Sequence, residues 1–100
     1  MNHKQYQINQ RVHNVVVGYI ADYDRRKRAT ECSEYDRLVL RSIDESFDTL
    51  DIGLTDIIRD DLANSVGWYQ SKASAMCCHT YYCKQKQKVV RLIARKIGLL

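Results

Sequence analysis

Residues 80–98 read TYYCKQKQKVVRLIARKIG, and apolar side chains recur through this segment at helical spacing. The recurring set is Tyr81, Val89, Ile93, Ile97 and Leu100, with Val90 and Leu92 widening it. Such spacing places apolar residues along one side of an α-helix. We therefore predict a long helix that begins near Thr80 and ends at Gly98, because glycine readily adopts the left-handed conformation that closes a helix.

Similar spacing predicts two helices near the start of the chain. The first runs from about Tyr6 to Arg28, and the second follows a capping box formed by Ser33 and Asp36 and ends before Gly53. The apolar stripe of the first helix is Ile8, Val12, Val15, Val16, Tyr19 and Tyr23. That of the second helix is Tyr35, Val39, Ile43, Phe47 and Leu50.

A short third helix is predicted from Asp56 to about Val66, with Thr55 as its N-terminal cap. Its inward residues are Ile57, Ile58, Leu62 and Val66. Gly67 then interrupts the pattern, and a brief fourth helix spans Ser71 to about Met76.

Composition favours an all-α fold. The 100 residues include no proline and only four glycines, so long helices meet few breakers. We predict one domain over residues 1–100 with four to five helices: a helical hairpin over 1–52 and a helix-turn-helix region with a long basic recognition helix over 53–100. No apolar run approaches the roughly 18 to 20 residues that span a bilayer, so we expect a cytoplasmic protein without membrane contact.

Acidic and basic residues are concentrated in different parts of the chain. Residues 31–61 hold ten acidic side chains against three basic ones, whereas residues 62–100 hold seven lysines and arginines and no acid. A basic segment that also carries an apolar stripe is typical of a folded surface that binds a polyanion. The alternative is a basic helix that only keeps the protein soluble.

The basic residues of the last helix lie mainly opposite its apolar stripe, and we predict that they bind double-stranded DNA. Here Gln87 could contact adenine, Thr80 a thymine methyl group or a phosphate, and Lys84 a guanine, while Arg91 and Arg95 lie where the helix passes the backbone. The candidate DNA-binding residues are Lys72, His79, Thr80, Tyr82, Cys83, Lys84, Lys86, Gln87, Lys88, Arg91 and Arg95.

Three segments resemble a known family. They are IIRDD at 57–61, MCCHTYYCK at 76–84 and RLIARKIGLL at 91–100. Together they are similar to phage late transcriptional regulators of the RinA/ArpU type. The resemblance covers the last half of the chain best, and it extends more loosely to residues 22–26. Cys77 stands where that family usually has serine.

The resemblance implies a sigma-region-4-like helix-turn-helix, sequence-specific DNA binding and activation of late genes. It also implies that Tyr81 packs inward against Trp68 or Val89, and that Tyr82 faces the nucleic acid. An activator must also contact RNA polymerase, and the acidic second helix is the candidate surface.

Other classes of function remain open from the residues alone. A packaging protein of the small terminase type and a helical protein-interaction module are the alternatives to a regulator, and a homodimer is one candidate assembly. The cluster at 25–28 is either a solvated helix end or a second phosphate contact. No catalytic motif occurs, so an enzyme is not expected.

The cysteines at 32, 77, 78 and 83 are interpreted as free thiols. Cys77, Cys78 and His79 are consecutive, and zinc ligands are usually spaced in pairs. We therefore expect neither a metal nor a cofactor.

Overall fold

The computed structural model describes residues 8–100, and all regular structure within this range is helical. The α-helices are α1 (Gln10–Ala21), α2 (Tyr23–Arg28), α3 (Glu34–Phe47), α4 (Ile52–Asn64) and α5 (His79–Lys96). Two 3-10 turns, Trp68–Gln70 and Lys72–Ala75, lie between α4 and α5. The prediction of an all-α fold with four to five helices is confirmed.

The first predicted helix is divided in two. Its expected start at Tyr6 lies outside the described residues, and Asp22 separates α1 from α2. The Asp22 N–H still donates to the carbonyl of Gly18, so the two helices follow one another closely. The Asp22 carboxylate binds Arg25 and Arg26, which draws it toward the first turn of α2.

The capping box of α3 is confirmed. The Asp36 N–H donates to Ser33 Oγ at 3.1 Å, and the Ser33 N–H donates to Asp36 Oδ2 at 3.1 Å. These two bonds satisfy backbone donors that would otherwise lack partners in the first turn. The helix buries Val39, Ile43 and Phe47, as its stripe predicts.

The third predicted helix was given the wrong start. α4 begins at Ile52 after the extended residue Asp51, and the Thr55 hydroxyl donates back to the carbonyls of Phe47 and Asp51 instead of capping a helix. Gly53 therefore lies in the first turn of α4 and does not end α3. A Cβ at this position would come within 3.0 Å of the Met76 side chain, so glycine permits that approach.

The segment from 65 to 78 links α4 to α5. Ser65 takes the left-handed conformation, with φ of 56°, and ends α4. The brief helix predicted from Ser71 to Met76 is present as the 3-10 turn Lys72–Ala75. Three residues, 76–78, then lead into α5, which ends at Lys96. Gly98 follows in the left-handed conformation (φ 83°), as predicted for the residue that closes the helix.

The helices share one hydrophobic core. α1 packs against α4 and α5, while α3 packs against α5. The core therefore joins elements from both halves of the chain, with Val16, Ile43, Ile58, Val89 and Ile93 fully buried in it. None of the helices formed by residues 8–100 is long and apolar enough to cross a bilayer.

Candidate nucleic-acid interface

α5 has one buried and one exposed side. Its buried side chains are Tyr82, Val89, Val90, Ile93 and Ala94, followed by Ile97 just beyond the helix. Lys84, Lys88, Arg91 and Arg95 follow one another at steps of four, three and four residues, so they form a line on the side opposite Ile93. The predicted division of this helix into a core side and a basic side is confirmed for these residues.

A shallow groove of about 280 Å³ lies along the N-terminal half of α5. Its lining consists of His79, Thr80, Cys83, Lys84 and Gln87. All five were candidate contacts, and the structure brings them together on one surface. Along the helix the groove offers an imidazole, a hydroxyl, a thiol, an ammonium group and an amide.

Arg91 and Arg95 lie further along the helix and line a second groove with Ile8, Asn9 and Leu100. Asn9 is the N-terminal cap of α1, and its side chain accepts from the Arg11 N–H at 2.8 Å. The two arginines are thus placed beside the first turn of α1. Neither the Asn9 side chain nor α1 was expected here, because the sequence pattern gave no sign of which helix would pack beside the end of α5.

The basic line on α5 is free of neutralising carboxylates. Within residues 8–100, Lys84, Lys88, Arg91 and Arg95 have no carboxylate oxygen within 4 Å. Lys96, which lies nearer the core side of the same helix, does bind Glu45 of α3 at 3.3 Å. The positive charges of the line are therefore available to an anionic ligand.

Tyr82 was wrongly placed on the DNA-binding surface. Only 1% of its surface is exposed, and its hydroxyl donates to Asp61 Oδ2 at 2.6 Å. It precedes Val89 by seven residues and Ile93 by eleven, so it belongs to the core stripe of α5. Its neighbour Tyr81 is half-buried, with its hydroxyl donating to Asp51.

Asp61 is the centre of a buried hydrogen-bond network. The same oxygen that accepts from Tyr82 also accepts from Ser71 Oγ, which in turn accepts from the Ala73 N–H at 3.0 Å. Asp61 belongs to α4, Tyr82 to α5 and Ser71 to the connecting segment. The network therefore fixes the connection between these helices.

Trp68 supports the N-terminal end of α5. Its ring stacks on His79 with centroids 5.3 Å apart and lies 5.2 Å from the Tyr82 ring. Tyr81 was predicted to pack inward against Trp68 or Val89; Tyr82 is the tyrosine of α5 whose ring lies beside Trp68, and Tyr81 is half-buried at the edge of the core. The stack holds His79 at the edge of the groove.

Two further candidates lie away from the groove. Lys86 is half-buried, with its ammonium 4.9 Å from the Tyr82 ring centroid and 3.4 Å from the Val66 carbonyl oxygen, and burial lowers its pKa. Lys72 is exposed but lines a different groove, together with Asp56 and Asp60. Neither side chain joins the basic line. Lys86 projects toward the core and was wrongly predicted to be exposed, whereas Lys72 is exposed elsewhere and stays a predicted DNA contact.

The basic cluster at 25–28 is largely engaged within the chain. Arg25 binds Asp22, Arg26 binds Asp36, and Arg28 Nε donates to the carbonyl of Asp24 at 3.2 Å. Lys27 lies 5.6 Å from the Tyr23 ring centroid. These contacts favour the interpretation of this cluster as a helix end over that of a phosphate site.

The cysteines are separate thiols. Cys77 is half-buried, its thiol donates to the Ala73 carbonyl at 3.6 Å, and burial raises its pKa. Cys78 is the exposed N-terminal cap residue of α5, whereas Cys83 lies in the groove. Among residues 8–100, no three histidine, cysteine or acidic side chains are grouped as metal ligands would be.

We expect Tyr82→Phe to lower the free energy of unfolding by about 1 to 3 kcal/mol, because Asp61 loses a buried donor. Tyr19→Phe is the matched control. Among residues 8–100 its hydroxyl contacts only Tyr35 Oη, at an exposed position, so the expected loss is about 0.5 kcal/mol or less. Urea unfolding followed by circular dichroism measures both variants, and equal losses would contradict the role of the Asp61 network.

Tyr82→Phe should also change how the free energy of unfolding depends on pH above about 10. Burial, with the hydrogen bond to Asp61, raises the pKa of Tyr82 to about 12. The phenol of an unfolded chain has a pKa of about 10, so the stability that depends on neutral Tyr82 is complete below about pH 10 and is lost as pH rises toward about 12. We expect Tyr82→Phe to lose less stability than the wild type over this interval.

Comparisons with protein-family models, with curated proteins and with solved structures find no match to this chain.

Proposed function

We propose that this protein binds double-stranded DNA through the exposed side of α5. The observation that carries the proposal is the line of Lys84, Lys88, Arg91 and Arg95, which has no carboxylate partner among the described residues. Four such cations on one side of a helix attract a phosphate backbone and release its counterions. The acidic residues lie mainly on α3 and α4, where they would repel that backbone.

The dimensions of α5 suit the major groove. Lys84 and Arg95 are eleven residues apart, which corresponds to about 16 Å along the helix axis. The major groove of B-form DNA is about 12 Å wide and admits one α-helix. In the proposed complex His79, Thr80, Lys84 and Gln87 contact base edges, while Arg91 and Arg95 contact the backbone as α5 leaves the groove.

We further propose that the binding is sequence-specific and that the protein is a transcriptional activator of phage late genes. The resemblance of segments 57–61, 76–84 and 91–100 to RinA/ArpU-type regulators supports this assignment. In the proposed helix-turn-helix, the turn Lys72–Ala75 stands in place of the supporting helix and residues 76–78 form the connection to α5. The acidic C-terminal half of α3 is the proposed contact with RNA polymerase.

Gln87→Ala and Arg91→Ala test the proposal together. We expect Gln87→Ala to weaken binding to a selected duplex by about 1 to 3 kcal/mol and to leave binding to random duplex nearly unchanged, because an amide distinguishes bases. Arg91→Ala should weaken binding to both duplexes alike, because a phosphate contact carries no sequence information.

The binding sites are first selected from random duplex DNA and then titrated with each variant. Binding is followed by the fluorescence of Trp68, the single tryptophan of the chain, which stacks on His79 at the edge of the groove. If wild-type protein binds no duplex at low salt, DNA is not the ligand of α5. If Gln87→Ala weakens both duplexes equally, the groove does not determine specificity.

A further inference from the structure

A second surface, on the opposite side of α3 from α5, has no role in the proposed DNA binding. It is a shallow groove of about 530 Å³ lined by Glu34, Tyr35, Arg37, Leu38 and Arg41. α3 packs against α5 through the side that buries Val39 and Ile43. Arg37 and Arg41 each lie two residues before one of these side chains and therefore project to the opposite side of the helix. A molecule bound to them would leave the basic line of α5 accessible.

The charges at this groove differ from those further along α3. In the C-terminal half of the helix, Asp44 lies 3.6 Å from Arg59 and Glu45 lies 3.3 Å from Lys96, so both have partners within the chain. At the groove, Glu34 and Arg41 have no oppositely charged partner within 4 Å among residues 8–100. These two charges can therefore pair with a partner molecule.

The groove also continues into an exposed apolar surface. Tyr35 is 42% exposed, and its hydroxyl lies 3.0 Å from that of Tyr19 on α1. Val15, one helical turn before Tyr19, is 40% exposed. Aromatic residues and arginine are enriched in the contact regions of protein interfaces, and both line this groove.

We infer that this surface binds a second copy of the same chain, with the two α3 helices antiparallel. Glu34 and Arg41 are seven residues apart, or about two helical turns. In an antiparallel pair centred between them, Glu34 of each copy faces Arg41 of the other, and Arg37 and Leu38 lie near the centre. A parallel arrangement would place Glu34, Arg37 and Arg41 each opposite the same residue of the other copy. The antiparallel arrangement brings only the two Arg37 side chains together, so the charge pattern favours the two-fold symmetric pair.

Charge exchange tests this arrangement. Glu34→Arg and Arg41→Glu each place like charges opposite one another, so each variant alone should dimerise about tenfold or more weakly than the wild type. Mixing the two variants restores both opposite-charge contacts and should restore the dimer. The double variant, with both substitutions in one chain, should also dimerise.

Analytical ultracentrifugation over a concentration series measures the masses, for which the wild type should approach twice the 11.7 kDa of one chain. Asp24→Arg is the control, because Asp24 is also an exposed acid in the first turn of a helix but lies outside the groove. Circular dichroism confirms that each variant is folded. A wild type that stays monomeric, single variants that dimerise like the wild type, or a mixture that stays monomeric would overturn the inference. No DNA is used, so this result is independent of the proposed function.

Discussion

Ile93→Asp should unfold the protein at room temperature. Ile93 is fully buried between α5 and the rest of the core, so an aspartate there would lose the apolar contacts and leave a charge without a partner. An unpaired buried charge costs roughly 3 to 5 kcal/mol, and the lost apolar burial adds about 2 kcal/mol. This sum is comparable to the whole stability of a small domain, which is about 5 to 15 kcal/mol.

Arg95→Asp is the matched control for this prediction. It introduces the same side chain into the same helix, but at an exposed position on the opposite side. We expect its free energy of unfolding to change by about 0.5 kcal/mol. Helical circular dichroism in a urea series measures both variants. If Arg95→Asp unfolds the protein and Ile93→Asp does not, the two sides of α5 have been assigned in reverse.

Replacing Lys88, Arg91 and Arg95 together by alanine should nearly abolish DNA binding at moderate salt. Each phosphate contact contributes about 0.9 to the slope of log affinity against log salt, so three lost contacts should lower the slope by about 2.7. At a salt concentration of about 0.1 M, this loss corresponds to a decrease in affinity on the order of 500-fold. Fluorescence anisotropy of a labelled duplex over a salt series measures both quantities.

The control for this variant removes the same charge from another site. Arg25, Lys27 and Arg28 on α2 are exposed, and their replacement by alanine changes the net charge equally. Because the cluster to which they belong is largely engaged within the chain, we expect the salt slope to change by less than about 1. If both triple variants lose affinity equally, either the DNA site includes α2 or binding depends only on the net charge of the protein.

The sequence was sufficient to predict the helices whose apolar residues repeat over several turns. Val89, Ile93 and Ile97 mark the buried side of α5, and the capping box at Ser33 marks the start of α3. The groove residues His79, Thr80, Cys83, Lys84 and Gln87 were also predictable as one surface, because their positions on a helix follow from its period.

Tyr82 and Lys86 were wrongly predicted to contact DNA, although the helical period places both on the buried side of α5. Tyr82, Lys86, Val89 and Ile93 follow at steps of four, three and four residues, so all four project toward the core. Family resemblance favoured Tyr82 as the outward residue, and a lysine next to a buried stripe is normally assumed to be exposed. Lys86 is accommodated because its ammonium contacts the Tyr82 ring and the Val66 carbonyl.

The start of α4 and the segment after it depended on contacts between distant residues. Thr55 and Gly53 have the local chemistry of a cap and a breaker, but Thr55 donates to Phe47 and Asp51, and Gly53 makes room for Met76. Likewise, the partners of Asp61 are ten and twenty-one residues away in the chain. No local pattern could have indicated these contacts, because they form only when α4, α5 and their connection pack together.

The packing of α5 against α1 has a consequence for biosynthesis. α1 is the first of the described helices to leave the ribosome and α5 is the last, and together they bury Val16, Val89 and Ile93 in one core. The parts of α1 and α3 that pack against α5 therefore remain uncovered until α5 has been synthesised. The nascent chain cannot complete its core until α5 has emerged, so during synthesis it presents the kind of surface to which chaperones bind.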